Sequence, residues 1–279
     1  MSSLTFSLQN AVTATPAAIL EAALVLIPQA QPLRWLSRLR SPLWAALLPA
    51  SIIVGTFGML AMPRSAPATL MLAAVTTPVL ALVAIVAVVR ARLLLLPVAV
   101  AAGGLALLAH GMPEQLGAAI VTALACLAIG AALQRLIPPR WLLAGVLAMS
   151  AADIALLVLG PGYHQTALLA AASRSFHGPR FTGARVGGST IGYPDLFLAA
   201  LLGAYLAADR AQRLGAVVLV VLAIAYDSFL SPGVLLPATV PIALTLVVVL
   251  GLRRVGSRGG GARAEHRSRS PVPAGAAGG

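Results

Sequence analysis

Runs of roughly twenty apolar residues recur along this chain, each closed by a cluster of arginine, proline or glycine. A helix advances by about 1.5 Å per residue and needs about 20 such residues to cross the hydrocarbon core of a bilayer. Nine segments fit that description, at 12–29, 43–62, 67–89, 93–110, 117–136, 141–159, 188–208, 214–230 and 233–252. A chain composed in this way cannot cover a globular, water-facing surface. Only 9% of the chain is charged, against about 25% in a typical soluble domain. The expectation is an all-α, polytopic membrane bundle of about nine transmembrane helices over residues 1–252. Segments one to six and seven to nine form two halves joined by an outer loop at 160–187.

All 19 basic residues are arginine, so chemistry that needs a lysine, such as a Schiff base or the phosphate-gripping lysine of a P-loop, is excluded. With nine spans, Arg34, Arg38, Arg40, Arg90, Arg92, Arg135, Arg140, Arg210, Arg213 and the six arginines of the tail fall on one face. Arg64, Arg174, Arg180 and Arg185 fall on the other. Cytoplasmic loops carry the excess of arginine, which predicts a cell-membrane protein with its N-terminus outside and its C-terminus in the cytoplasm. Trp35, Trp44 and Trp141 sit at the same predicted boundary, where an indole is favoured. The net charge of +12 thus reads as membrane topology, with no nucleic-acid partner. Membrane lipids are the first partner expected.

Two stretches read as non-membranous. Residues 253–279, rich in Arg, Gly, Ser, Ala and Pro, bury too little to fold and predict a disordered basic tail against anionic headgroups. The outer loop 160–187 predicts a short helix at 166–174, followed by the glycine-rich FTGARVGGS at 181–189. Cys126, the single cysteine, reads as helix packing. The four histidines are scattered: His164 and His177 lie in the outer loop without nearby carboxylates, His110 ends a span and His266 is in the tail. No metal site and no cofactor is expected.

The seven acidic residues can be weighed singly. Glu265, Asp209 and Glu114 read as solvated, while Glu21 faces either the bundle or a thin first span. Asp153, Asp195 and Asp227 fall inside spans, where an ionisable group is a functional hypothesis by default. Segment six runs outward and Asp153 lies seven residues before Gly160; segment seven runs inward and Asp195 lies seven residues after Gly188. The two carboxylates therefore reach matching depth on antiparallel helices, which are expected to pack side by side. Two carboxylates in a low-dielectric site share a proton, so that one acts as base on water and the other as acid on a carbonyl oxygen. Asp227, five residues before Pro232, reads as shallow.

The order of Ser150-Ala151-Ala152-Asp153, Gly192-Tyr193-Pro194-Asp195 and Pro237-Ala238-Thr239 resembles the presenilin and signal peptide peptidase family of intramembrane aspartyl proteases. That family has nine spans, with Tyr-Asp in the sixth, Gly-x-Gly-Asp in the seventh and Pro-Ala-Leu in the ninth. The motifs cover residues 141–252, and the first five segments match by count. The inferred orientation is similar to that of signal peptide peptidase. The resemblance implies catalytic roles for Asp153 and Asp195, active-site support from Gly192, Tyr193, Pro194, Pro237, Ala238 and Thr239, and a transmembrane or signal-peptide-like substrate. This chain departs from the pattern at Ala152, Pro194 and Thr239. Proline is tolerated in a span mainly where the helix breaks or begins, so Pro194 is expected to supply the unwinding that glycine gives the family. Tyr226-Asp227 matches the Tyr-Asp pair by letters but follows the Gly-Tyr-Pro-Asp element. Prepilin peptidases also use a Gly-x-Gly-Asp aspartate, without the Pro-Ala-Leu element.

Three functions stay open on the sequence. The first is an intramembrane aspartic endopeptidase; the second is a proton-coupled carrier using the same aspartates; the third is a catalytically inactive family member acting as a binding or scaffolding protein.

Overall fold

A computed structural model describes residues 15, 17–27, 34–88, 92–176, 178, 180, 181, 183–186, 189–229 and 239–268. In chain order the helices are α1 (Ala17–Leu26), α2 (Leu43–Ala61), α3 (Ala66–Val83), α4 (Arg92–Leu108), α5 (Met112–Leu136) and α6 (Pro139–Val158). Next come α7 (Pro161–Ser175), the antiparallel strands β1 (Gly183–Val186) and β2 (Ser189–Gly192), then α8 (Tyr193–Ala207), α9 (Gln212–Phe229) and α10 (Thr239–Ser268). Among the described residues, four apolar stretches, Leu43–Ala61, Pro63–Val88, Met112–Leu136 and Pro139–Val158, are long and apolar enough to cross a membrane. Four shorter apolar helices accompany them. Large apolar side chains such as Leu43, Val54, Leu72, Val75 and Val100 stand exposed on the outer faces of α2, α3 and α4. So much exposed apolar surface fits lipid as the surrounding solvent.

The core is built on α5, which is buried along nearly all its length and packs against α3, α4 and α8. Small residues make this possible, since helices in lipid gain by close backbone approach. A Cβ added at Gly130 would lie 2.8 Å from the Leu201 backbone nitrogen, and one added at Gly145 would lie 3.0 Å from the Ala45 carbonyl oxygen. These two glycines seat α8 on α5 and α6 on α2. Overpacking costs about 1–3 kcal/mol or more where backbone cannot shift. Gly130→Val is therefore expected to lower the thermal unfolding midpoint in detergent. Gly103→Ala, whose Cβ meets nothing within 4 Å, is expected to leave it unchanged or raise it through helix propensity. Equal midpoints for the two variants would sink this account of the crossing.

One end of the bundle is tied by polar contacts. Gln212 Nε2 donates to the carbonyls of Val25 at 2.7 Å, Ile27 at 3.2 Å and Gly203 at 3.4 Å, joining the ends of α1 and α8 to the start of α9. Arg253 pairs with Asp209 across α10 and the end of α8. Arg40 Nε donates to the Arg135 carbonyl at 3.3 Å, and Ser41 N donates to the Leu136 carbonyl at 3.0 Å. Glu21 is buried within α1.

Two expectations change. The last helix runs on to Ser268, so residues 253–268 are helical where a disordered tail was expected, although Gly256, Gly259, Gly260 and Gly261 are poor helix formers. Residues 269–279 lie outside the described part. The short helix expected at 166–174 is the C-terminal part of a longer one, α7, entered through Gly160 at φ 95°, a left-handed conformation that favours glycine.

Candidate active site

The segment expected at 188–208 divides at Gly192. Residues 189–192 pair with 183–186 as a hairpin, in the register Gly183 with Gly192 and Ala184 with Ile191. Helix α8 then starts at Tyr193 with Pro194 in its first turn. The first amides of a helix have no intrahelical acceptor, so proline costs no hydrogen bond there and its fixed φ suits the entry. Asp195 is the third residue of the helix, and its Oδ2 accepts the Gly192 backbone N–H at 3.0 Å. That bond fixes the carboxylate over the helix N-terminus, the end that favours negative charge.

Asp153 lies on α6, one turn beyond Ser150. Both meet the first residue of α10. Thr239 Oγ1 donates to Asp153 Oδ2 at 2.9 Å, while the Thr239 carbonyl accepts from Ser150 Oγ at 3.1 Å. The Thr239 backbone also hydrogen-bonds Asp195, and the two carboxylates are close enough to interact electrostatically. One buried threonine thus touches α6 with its hydroxyl and its carbonyl and α8 with its amide. Chemically, the arrangement offers two carboxyl groups within electrostatic reach of each other, held by donors that do not titrate, and Asp153 borders an apolar space.

That space is a cavity of about 400 Å³ lined by Leu48, Thr56, Met149, Asp153, Tyr193 and Phe197, among others. Gln165 of α7 closes one side by accepting a hydrogen bond from Thr56 Oγ1 at 2.6 Å. Ser51 and Gly55, both exposed on α2, border it where it opens sideways.

Compared with known protein families, curated proteins and solved structures, this chain matches none.

The expected residues fall as follows. Asp153, Gly192, Tyr193, Pro194, Asp195 and Thr239 converge at one end of the bundle. Pro237 and Ala238 lie outside the described residues, as does the side chain of Asp227 at the end of α9. Segments six and seven do not pack side by side: α8 lies along α5, α6 lies along α2, and α10 touches both α6 and α8. The small residues of α5 accept α8 more closely than α6 can, and Thr239 spans the space left between. Cys126 is fully buried on α5, with Sγ 4.0 Å from the Tyr193 carbonyl oxygen.

Three polar participants had no role assigned from the sequence. Ser150 carried a faint signal, a hydroxyl three residues before Asp153 and so on the same helix face. Thr56 and Gln165 gave none, since their meeting depends on how α7 folds back.

Proposed function

We propose that this chain is an intramembrane aspartic endopeptidase of nine spans, presenilin-like in arrangement, with its N-terminus outside and its C-terminus cytoplasmic. The observation that carries the reading is Thr239, which holds Asp153 and Asp195 to a single place. Asp153 and Asp195 share one proton. The ionised carboxylate takes a proton from a water molecule as that water attacks the scissile carbonyl, and the protonated one hydrogen-bonds the carbonyl oxygen. Collapse of the tetrahedral intermediate passes a proton to the leaving amine, and the pair returns to its starting state.

The substrate class follows from the surroundings. The cavity opens sideways among apolar side chains, which suits a transmembrane or signal-peptide-like segment arriving through the bilayer. An intact helix keeps its carbonyls in i to i−4 bonds, so the segment must unwind before attack. The positions of the arginines support the orientation, because Arg40, Arg135 and Arg253 all lie at the tied end of the bundle, away from the aspartates.

The test is reconstitution. Purified protein in liposomes is expected to cut transmembrane peptides from a broad fluorogenic panel and to be blocked by a hydroxyl-bearing mimic of the tetrahedral intermediate. Proton or solute flux without cleavage would replace this reading with a carrier; peptide binding with neither activity would replace it with a scaffold.

A further inference from the structure

The polar groups that line the cavity are not equally occupied. The Ser51 hydroxyl donates to the Leu48 carbonyl of its own helix at 2.7 Å, and Asp153 is held by Thr239. Thr56, only 1% exposed, spends its hydroxyl proton on Gln165 Oε1. This bond crosses 109 positions of sequence, from α2 to α7, and fixes the plane of the amide. The Gln165 Nε2 then has no hydrogen-bond partner among the described residues, although half-buried Gln165 lines a cavity whose walls are mostly apolar. A donor in such surroundings is favoured by any ligand that brings an acceptor.

We infer that Gln165, oriented by Thr56, is a substrate-positioning residue that donates a hydrogen bond to a main-chain carbonyl of the unwound peptide while the scissile bond lies at Asp153 and Asp195. The identity of the ligand as a peptide rests on the peptidase reading. An amide suits this task better than a charged group, because it binds a carbonyl without bringing an ion into an apolar wall. It also selects for conformation. A carbonyl inside an intact helix already accepts an amide proton, whereas one released by unwinding is open to Gln165. The sideways mouth at Ser51 and Gly55 supports the same route, since a Cβ at Gly55 would meet nothing within 4 Å and leaves the approach clear.

The experiment separates binding from cleavage. Affinity for a fluorescent transmembrane peptide is measured in nanodiscs for full-length Asp195→Asn protein, alone and combined with Gln165→Leu or Thr56→Val. Loss of one hydrogen bond predicts about fivefold to tenfold weaker binding for Gln165→Leu and a smaller loss for Thr56→Val. In the active protein, Gln165→Leu is expected to raise KM by a similar factor and shift the cleavage position, with kcat changing less. Thermal midpoints of all variants guard against misfolding. Unchanged affinity in the Gln165→Leu combination overturns the inference, even if the wild type cuts peptides. Weaker binding in that combination, with no cleavage by the wild type, keeps the subsite and removes the peptidase reading. A parent that binds no peptide overturns both.

Discussion

Asparagine in place of either Asp153 or Asp195 is expected to reduce cleavage of a reconstituted transmembrane peptide by about a thousandfold or more, and the double substitution is expected to be no worse than either single one. General acid–base contributions are typically about 10²–10⁴-fold, and groups that act as a unit lose their effect together. Asparagine keeps the shape of the side chain and its ability to accept from Thr239 or Gly192, so the packing around α6 and α8 is preserved while the transferable proton is lost. Initial rates, normalised to folded protein, provide the measurement. Asp227→Asn, at the end of α9, is expected to retain activity. Asp153→Asn or Asp195→Asn keeping more than about a tenth of the wild-type rate would remove that aspartate from the chemistry, since even the smallest typical contribution exceeds this.

Thr239→Val is the next largest effect. Valine matches threonine in shape and keeps the backbone amide and carbonyl, so the contacts to Asp195 and Ser150 survive while the 2.9 Å bond to Asp153 is removed. A hydrogen bond to a charged or buried group contributes about 1.5–3 kcal/mol, which converts to about a 10- to 100-fold loss in rate if all of it falls on the reacting geometry. Thr239→Ser restores the hydroxyl and is expected to recover most of the loss. A valine variant as active as the serine variant would show that the Asp153 carboxyl holds its place without this donor.

What the sequence allowed one to read depended on how local the cause was. The apolar runs bounded by Arg, Pro and Gly locate helices because span length is a property of consecutive residues. The start of α8 was half legible: Pro194 signalled a break or a beginning, but the strand before it depends on β1 and on α5, to which β1 packs. Rise per residue already puts Asp153 and Asp195 near the same end of the bundle. It does not reveal that α10 stands between their helices, because that follows from where Gly130 lets α8 settle. Thr239 read as a departure from a motif, and only the fold shows its hydroxyl on one aspartate and its amide on the other. The Thr56–Gln165 bond was invisible for the same reason, as neither position has a local pattern to mark it.

The polar ties gathered around Gln212, Asp209 and Ser41 have a mechanical consequence. They tie α1, α2, α5, α8, α9 and α10 together at the end away from the aspartates, and α6 leaves that end two residues after α5, so a tilt of α6 there is magnified along its length. Asp153 stands 14 residues beyond Pro139, the first residue of α6, a lever arm of about 21 Å at 1.5 Å per residue. A tilt of about 5° at the clamped end therefore displaces the carboxylate by about 2 Å. That is comparable to the difference between two carboxyl groups in contact and two with a water molecule between them. On the peptidase reading, a change too small to disturb the clamp is large enough to admit or expel the attacking water.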